Sequence, residues 1–170
     1  MNSFAYKPTI AGERIVLRPL VASDAESMWF DLHDDEANRL TGTHGGITRD
    51  QVNDWCATRH DEDDRLDLAA VDGTTGEWLG EVVINEWDPD NWSCSFRITL
   101  SASARGRGLG TEATRLIVDY VFDELPVNRL ELEVFAFNPR AWLSMSAWVF
   151  EPRAADAKRC IGTTNSSTPS

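Results

Sequence analysis

"ARGRGLGTEA", residues Ala104–Ala113, decides how the rest of the chain is read. It follows the strand-like "SCSFRITL" (Ser93–Leu100) and opens a helical run, "TEATRLIVDYVFDEL" (Thr111–Leu125). Glycines at 106, 108 and 110 carry no Cβ, so backbone N–H groups can come close to a ligand. The first turn of the helix adds N–H groups without intrahelical partners and the positive end of a dipole. Together these predict a cradle for an anion such as a phosphate. Arg105 and Arg107 add charge. Asn91–Thr111 holds three arginines and no acid, in a chain with 28 Asp and Glu. A Walker loop would end in Gly-Lys-Ser/Thr, and a dinucleotide loop would read G-x-G-x-x-G in an N-terminal parallel βαβ unit. Here G-x-G-x-G comes late, so neither nucleotide fold fits. A glycine-rich turn without a ligand stays open at this point.

Working outward, "ERIVLRPL" (Glu13–Leu20) alternates as a strand does. Ser23, with Glu26 three residues on, predicts a capped helix to about Leu32. "HDDEANRL" reads as a short helix or loop, and "GTHGG" (Gly42–Gly46) as a loop. Thr48 predicts the cap of another helix, with Val52, Trp55 and Cys56 on one face. "RLDLAAV" (Arg65–Val71), "WLGEVVINEW" (Trp78–Trp87) and "SCSFRITL" are separated by turn chemistry and predict an antiparallel meander. In the long helix Leu109, Ala113, Leu116, Tyr120 and Leu125 recur near helical spacing. Pro126 lies past its end, before the strand-like "NRLELEVFAF" (Asn128–Phe137).

The 170 residues suit one domain, spanning 1–170. A net charge of −12 argues against a nucleic-acid partner and allows a cationic one. No apolar run approaches the ~20 residues that span a bilayer. The N-terminus lacks the order of a signal peptide, so a cytoplasmic location is expected. Cys56, Cys94 and Cys160 lack the paired spacing of a zinc site and are expected as free thiols. "HDEDD" (His60–Asp64) reads as a solvated charge run, and no metal is expected.

"RGRGLG" resembles the R/Q-x-x-G-x-G/A motif of the GNAT N-acetyltransferases, where that segment binds the pyrophosphate of acetyl-coenzyme A. "RGRGLGTEATRLIVDYVF", "ERIVLRPL" and "NRLELEVFAFNPRA" are similar, in order and spacing, to the branch of ribosomal-protein N-terminal and spermidine acetyltransferases. The likeness covers about Glu13–Ala141. It implies a mixed α/β (α+β) fold with a mostly antiparallel, splayed central sheet flanked by helices. The implied reaction is acetyl transfer from acetyl-coenzyme A to a primary amine, a protein N-terminus first and a polyamine or other small amine second. A coenzyme-binding protein without activity, or a truncated product with no function, is the alternative of another class, and a homodimer is left open.

The same resemblance implies roles for residues. Ile98, Thr99 and Leu100 would hydrogen-bond the pantetheine arm, and one N–H there would face the thioester oxygen. Arg105, Gly106, Arg107, Gly108, Leu109, Gly110 and Thr111 would hold the pyrophosphate, and Asn138 would also lie against the coenzyme. No protein nucleophile is needed, but the amine must lose a proton. Glu81 and Glu86 on the meander are candidate bases, as are Asp34, Asp35 and Glu36 near the expected substrate loop. His33, His44 and His60 have a suitable pKa range but read as exposed loop residues. The tyrosine that would protonate the departing thiolate stands seven residues after Asn138, where this chain has Met145. A thioether donates no proton.

From Trp142 the chain departs from the family, and "NPRAWLSMSAWVFEPRAADAKR" (Asn138–Arg159) follows no period. Shifting the codons by one base permits tyrosine at position 145 and forces glycine at 149 ahead of Phe150, the family's missing Gly-Phe. The tail therefore reads as a shifted frame, with little β pattern, a disordered "GTTNSSTPS" and an open sheet edge near Val134 and Phe135. Resequencing the gene at the Ala141 codon is expected to reveal a missing base. An intact frame in independent clones refutes the shift.

Overall fold

The computed structural model describes residues 3–41, 45–135 and 160–166. One seven-stranded sheet runs in chain order: β1 (Ile10–Ala11), β2 (Ile15–Pro19), β3 (Leu66–Asp72), β4 (Trp78–Asp88), β5 (Ser93–Leu100), β6 (Arg129–Phe135) and β7 (Cys160–Ser166). Pairing is antiparallel from β1 to β5 and parallel from β5 to β7. The helices are α1 (Ala25–Asp31), α2 (Asp35–Thr41), α3 (Arg49–Thr58) and α4 (Leu109–Glu124).

Two apolar layers hold the sheet between helices. On one face Leu17, Leu68, Val82, Ile84 and Phe96 pack with Ala113, Ile117, Val121 and Phe122 of α4. On the other, Ala69 and Val71 pack with Ala25 and Met28 of α1 and Val52 and Cys56 of α3. β3 therefore buries consecutive residues on both faces, which explains why "LDLAAV" hardly alternates. On α4 the fully covered stripe runs through Ile117 and Val121, while Leu116 and Tyr120 sit at its margin.

α3 starts as its sequence predicts. Thr48 Oγ1 accepts from Gln51 N at 3.2 Å and Gln51 Oε1 accepts from Thr48 N at 2.8 Å. The cap expected at Ser23 does not form. Residues Ala22–Asp24 make a 3-10 turn, and α1 begins at Ala25. Asp24 decides this, because its carboxylate takes both Arg18 guanidinium nitrogens at 2.8 Å and the Val21 N–H at 2.9 Å. A buried bidentate charge-assisted pair outweighs a serine cap.

The tail also differs from expectation. β7 lies along all of β6, and the backbones of Val134 and Phe135 face Asn165 and Ser166. An edge strand's unpaired N–H and C=O groups accept any segment able to extend. Ile161, Thr163 and Thr164 favour that conformation. The sheet edge near Phe135 is thus covered, and the segment expected to be disordered begins inside a strand.

Candidate active site

β5 and β6 pair only from Ser93↔Arg129 to Phe96↔Leu132. Beyond Phe96, β5 stays on β4 (Val83↔Arg97 to Gly80↔Leu100) while β6 stays on β7. The sheet opens between them. Backbone groups alternate direction along a strand. Ser101 N donates to Leu79 O, and Leu100 O accepts Arg105 Nε at 3.1 Å, which fixes the phase. Ile98 and Leu100 therefore turn their backbone groups into the gap, while Thr99 turns its own toward β4. Of the three residues expected to hold a pantetheine arm, two offer main chain there. Thr99 presents its side chain to a cavity instead.

At the end of the gap lies the glycine loop. Gly106 and Gly108 adopt φ of 72° and 75°, the left-handed region that glycine enters without strain. Gly108 caps α4 without a side-chain bond. Among the described residues, the N–H groups of Gly106, Arg107, Gly108, Leu109, Gly110 and Thr111 donate to no protein oxygen outside the helix. This helix mouth fits a diphosphate. The Leu109 side chain is core, and Thr111 is exposed.

The loop arginines behave differently from expectation. Arg105 turns away from the loop, placing Nη2 2.6 Å from Asp34 and Nη1 3.2 Å from Glu36. Its charge is spent on the start of α2 and the turn before it. Arg107 stays exposed, with Nη1 at 3.4 Å from Ser103 O. Arg14, which sequence reasoning did not single out, braces the loop. Its Nε reaches Glu112 at 3.1 Å and its Nη1 the Arg107 carbonyl at 2.8 Å. Only the pairing with α4 reveals it, since "ERIVLRPL" reads as an ordinary strand.

A cavity of about 290 Å³ opens on the other side of β5. α1 and the turn after it contribute Met28, Asp31 and Leu32, and α2 contributes Asn38. Ile47, Gln51, Val52 and Trp55 come from α3 and its lead-in, Trp78 and Glu81 from β4, and Arg97 and Thr99 from β5. Strict alternation would put Trp78 and Glu81 on opposite faces. They share the cavity because β4 carries a bulge: Ala70 faces Gly80 but Val71 faces Trp78, leaving Leu79 extra.

Glu81 is the titratable centre. Its Oε1 is buried without a hydrogen-bond partner among the described residues, and its neighbour on β5 is Thr99. Burial pushes its pKa up to about 7, against the opposing pull of Arg97. Glu86 sits elsewhere, exposed on a second irregularity of β4 at φ 55°, accepting Ser95 Oγ at 2.6 Å. Asp31 also rises through burial, though Trp78 Nε1 donates to it at 2.7 Å. Cys56 and Cys94 are buried free thiols, both pushed up to about 12 by burial, which leaves them unreactive. Asn138 and Met145 lie outside the described residues, as does His44.

Glu81 makes stability depend on pH. Its folded pKa of about 7 exceeds its ordinary value of 4.5, so the folded state holds the proton more tightly. Its contribution is fully present below pH 4.5 and is lost as pH rises to about 7, a change on the order of 3 kcal/mol. Urea unfolding from pH 4.5 to 8 is expected to show this decline and Glu81→Gln to lack it.

A splayed sheet with an open strand edge thus stands beside an amide-lined helix mouth and a carboxylate cavity. The sequence model of the acetyltransferase (GNAT) domain matches residues 14–146, and the chain belongs to that family. Three solved structures share the fold. An acetyltransferase of the GNAT family from Bacillus anthracis is 14% identical, with a TM-score of 0.71 over 82% of this chain and 81% of its own. Spermidine N-acetyltransferase from Vibrio cholerae, solved with CoA and spermine, is 18% identical, with a TM-score of 0.73 over 80% of each chain. The RimL ribosomal L7/L12 alpha-N-protein acetyltransferase is 11% identical, with a TM-score of 0.67 over 83% and 79%. No curated protein matches the sequence.

Proposed function

We propose that the protein transfers acetyl from acetyl-coenzyme A to a primary amine, with Glu81 as general base and a protein N-terminal amine as the first acceptor class. The observation that carries this is the position of Glu81, a carboxylate of raised pKa across β5 from the gap. The diphosphate would rest on the amides of Gly106–Thr111, and the pantetheine arm would run along Ile98 and Leu100. An ammonium group in the cavity would give its proton to Glu81 Oε1, and the freed nitrogen would attack the thioester carbonyl. A pKa near 7 suits a base that must be ionised at neutral pH and still able to take a proton. A β5 amide in the gap would donate to the oxygen that gains charge. The sulfur leaves as a thiolate and takes up the second proton, which the nitrogen sheds as it becomes an amide; the position where the family places a proton donor for the sulfur holds Met145. Both substrates would be met in the cytoplasm.

Calorimetric titration with acetyl-coenzyme A, run beside a thiol-release assay over a panel of amines, tests the proposal. Saturable binding and amine-dependent thiol release are expected. Binding without release from any amine would overturn the catalytic reading, and no binding would overturn the loop assignment as well.

A further inference from the structure

Two buried polar atoms of the cavity have no hydrogen-bond partner among the described residues: Oε1 of Glu81 and Nε1 of Trp55. The ionised carboxylate only accepts, and the indole N–H only donates. They are near enough for Trp55 to act on the carboxyl's protonation, yet they do not reach hydrogen-bond geometry with each other. A molecule satisfying both must offer a donor to Glu81 and, close beside it, an acceptor to Trp55. The indole is fixed in place, with the Arg59 guanidinium 3.4 Å and that of Arg65 5.2 Å from its ring centre. The surrounding wall includes Met28, Ile47 and Val52.

An ammonium one carbon from a carbonyl, with an apolar branch on that carbon, has this pattern. We propose that the acceptor is an α-aminoacyl group with a bulky apolar side chain. Its amine meets Glu81, its carbonyl oxygen meets the Trp55 indole, and its side chain lies on Met28, Ile47 and Val52. This rests on the cavity being the acceptor site of the proposed acetyl transfer. A polyamine matches less well. Its several ammonium groups need carboxylates along their length, but Asp31 already accepts Trp78 Nε1, Asp34 and Glu36 are ion-paired with Arg105, and Arg97 adds a cation to the cavity wall.

Four ligands test the proposal on the unaltered protein: leucinamide, serinamide, isoamylamine (leucinamide without its carbonyl) and spermidine. Each is titrated calorimetrically in the presence of coenzyme A and assayed separately for thiol release with acetyl-coenzyme A. Leucinamide is expected to bind about tenfold more tightly than the others. Trp55→Phe is expected to erase its advantage over isoamylamine. A leucine-initiated tripeptide that binds at least as well identifies a peptide N-terminus as the source, and weaker binding identifies a free amino-acid derivative. Equal binding of leucinamide and serinamide overturns the proposal, as does tightest binding of spermidine or a leucinamide-to-isoamylamine ratio unmoved by Trp55→Phe. Selective binding without thiol release keeps this inference and removes the catalytic assignment. Thiol release without selectivity does the reverse, and absence of any amine binding removes both.

Discussion

Glu81→Gln is expected to lower kcat by about 10²–10⁴-fold, the usual worth of a positioned general base, while leaving the affinity for acetyl-coenzyme A unchanged. The amide keeps the size and shape of the side chain but cannot take a proton near neutral pH. Coenzyme affinity therefore reports whether the variant is folded, and kcat reports the chemical step. The pH profile supplies a second signature. With a pKa pushed up to about 7, the wild-type carboxylate is ionised only above that point, so kcat should rise through pH 7 and then level. The residual activity of the variant should lack this step. Glu86→Gln serves as the contrast. Glu86 holds only Ser95 at an exposed bend, and its loss should leave the profile intact. If the two variants behave alike, Glu81 is not the base.

Gly80→Ala is expected to be the most damaging small substitution among the described residues. Gly80 has φ of +148°, and a Cβ there would lie 2.2 Å from the Thr99 carbonyl oxygen and 2.9 Å from Leu100 Cα. Both obstacles are backbone of the paired strand, so neither can rotate away. An alanine would have to part β4 from β5 or remove the bulge, and a cost above about 4 kcal/mol is expected in urea unfolding, in the range reserved for special backbone positions and overpacking. Gly76→Ala controls for backbone strain alone. Gly76 also has a positive φ, of 74°, but nothing lies within 4 Å of its Cβ position. Its expected cost is about 1–2 kcal/mol. A similar loss for both variants would mean that close strand approach contributes little at Gly80.

The glycine loop and the helix it opens were legible in the sequence because glycine spacing and a helical apolar period are local signals. β5 was legible to the residue, since "SCSFRITL" alternates between turns, and α3 announced its own cap through Thr48. The choice between Glu81 and Glu86 was not legible. Both lie on one strand, and only a phase change in the alternation decides which of them enters the cavity. The glycine inside "WLGEVV" carried the available hint, because an isolated glycine in a strand often marks a bulge. The orientation of Arg105 was hidden for another reason. Its partners, Asp34 and Glu36, are some seventy residues away in the chain, and no local pattern encodes that pairing. The strand at Cys160–Ser166 escaped notice because edge pairing needs an available backbone more than a side-chain pattern.

The bridge from Arg105 to Asp34 and Glu36 gives the protein a mechanical property. One side chain fastens the start of the glycine loop to α2, which borders the cavity, and to the turn before it, and the same side chain grips the Leu100 carbonyl on β5. The loop and the cavity wall are thereby joined by a single strut. Cutting that strut, as in Arg105→Ala, is expected to free the glycine loop and α2 together, which amide hydrogen exchange in both segments checks.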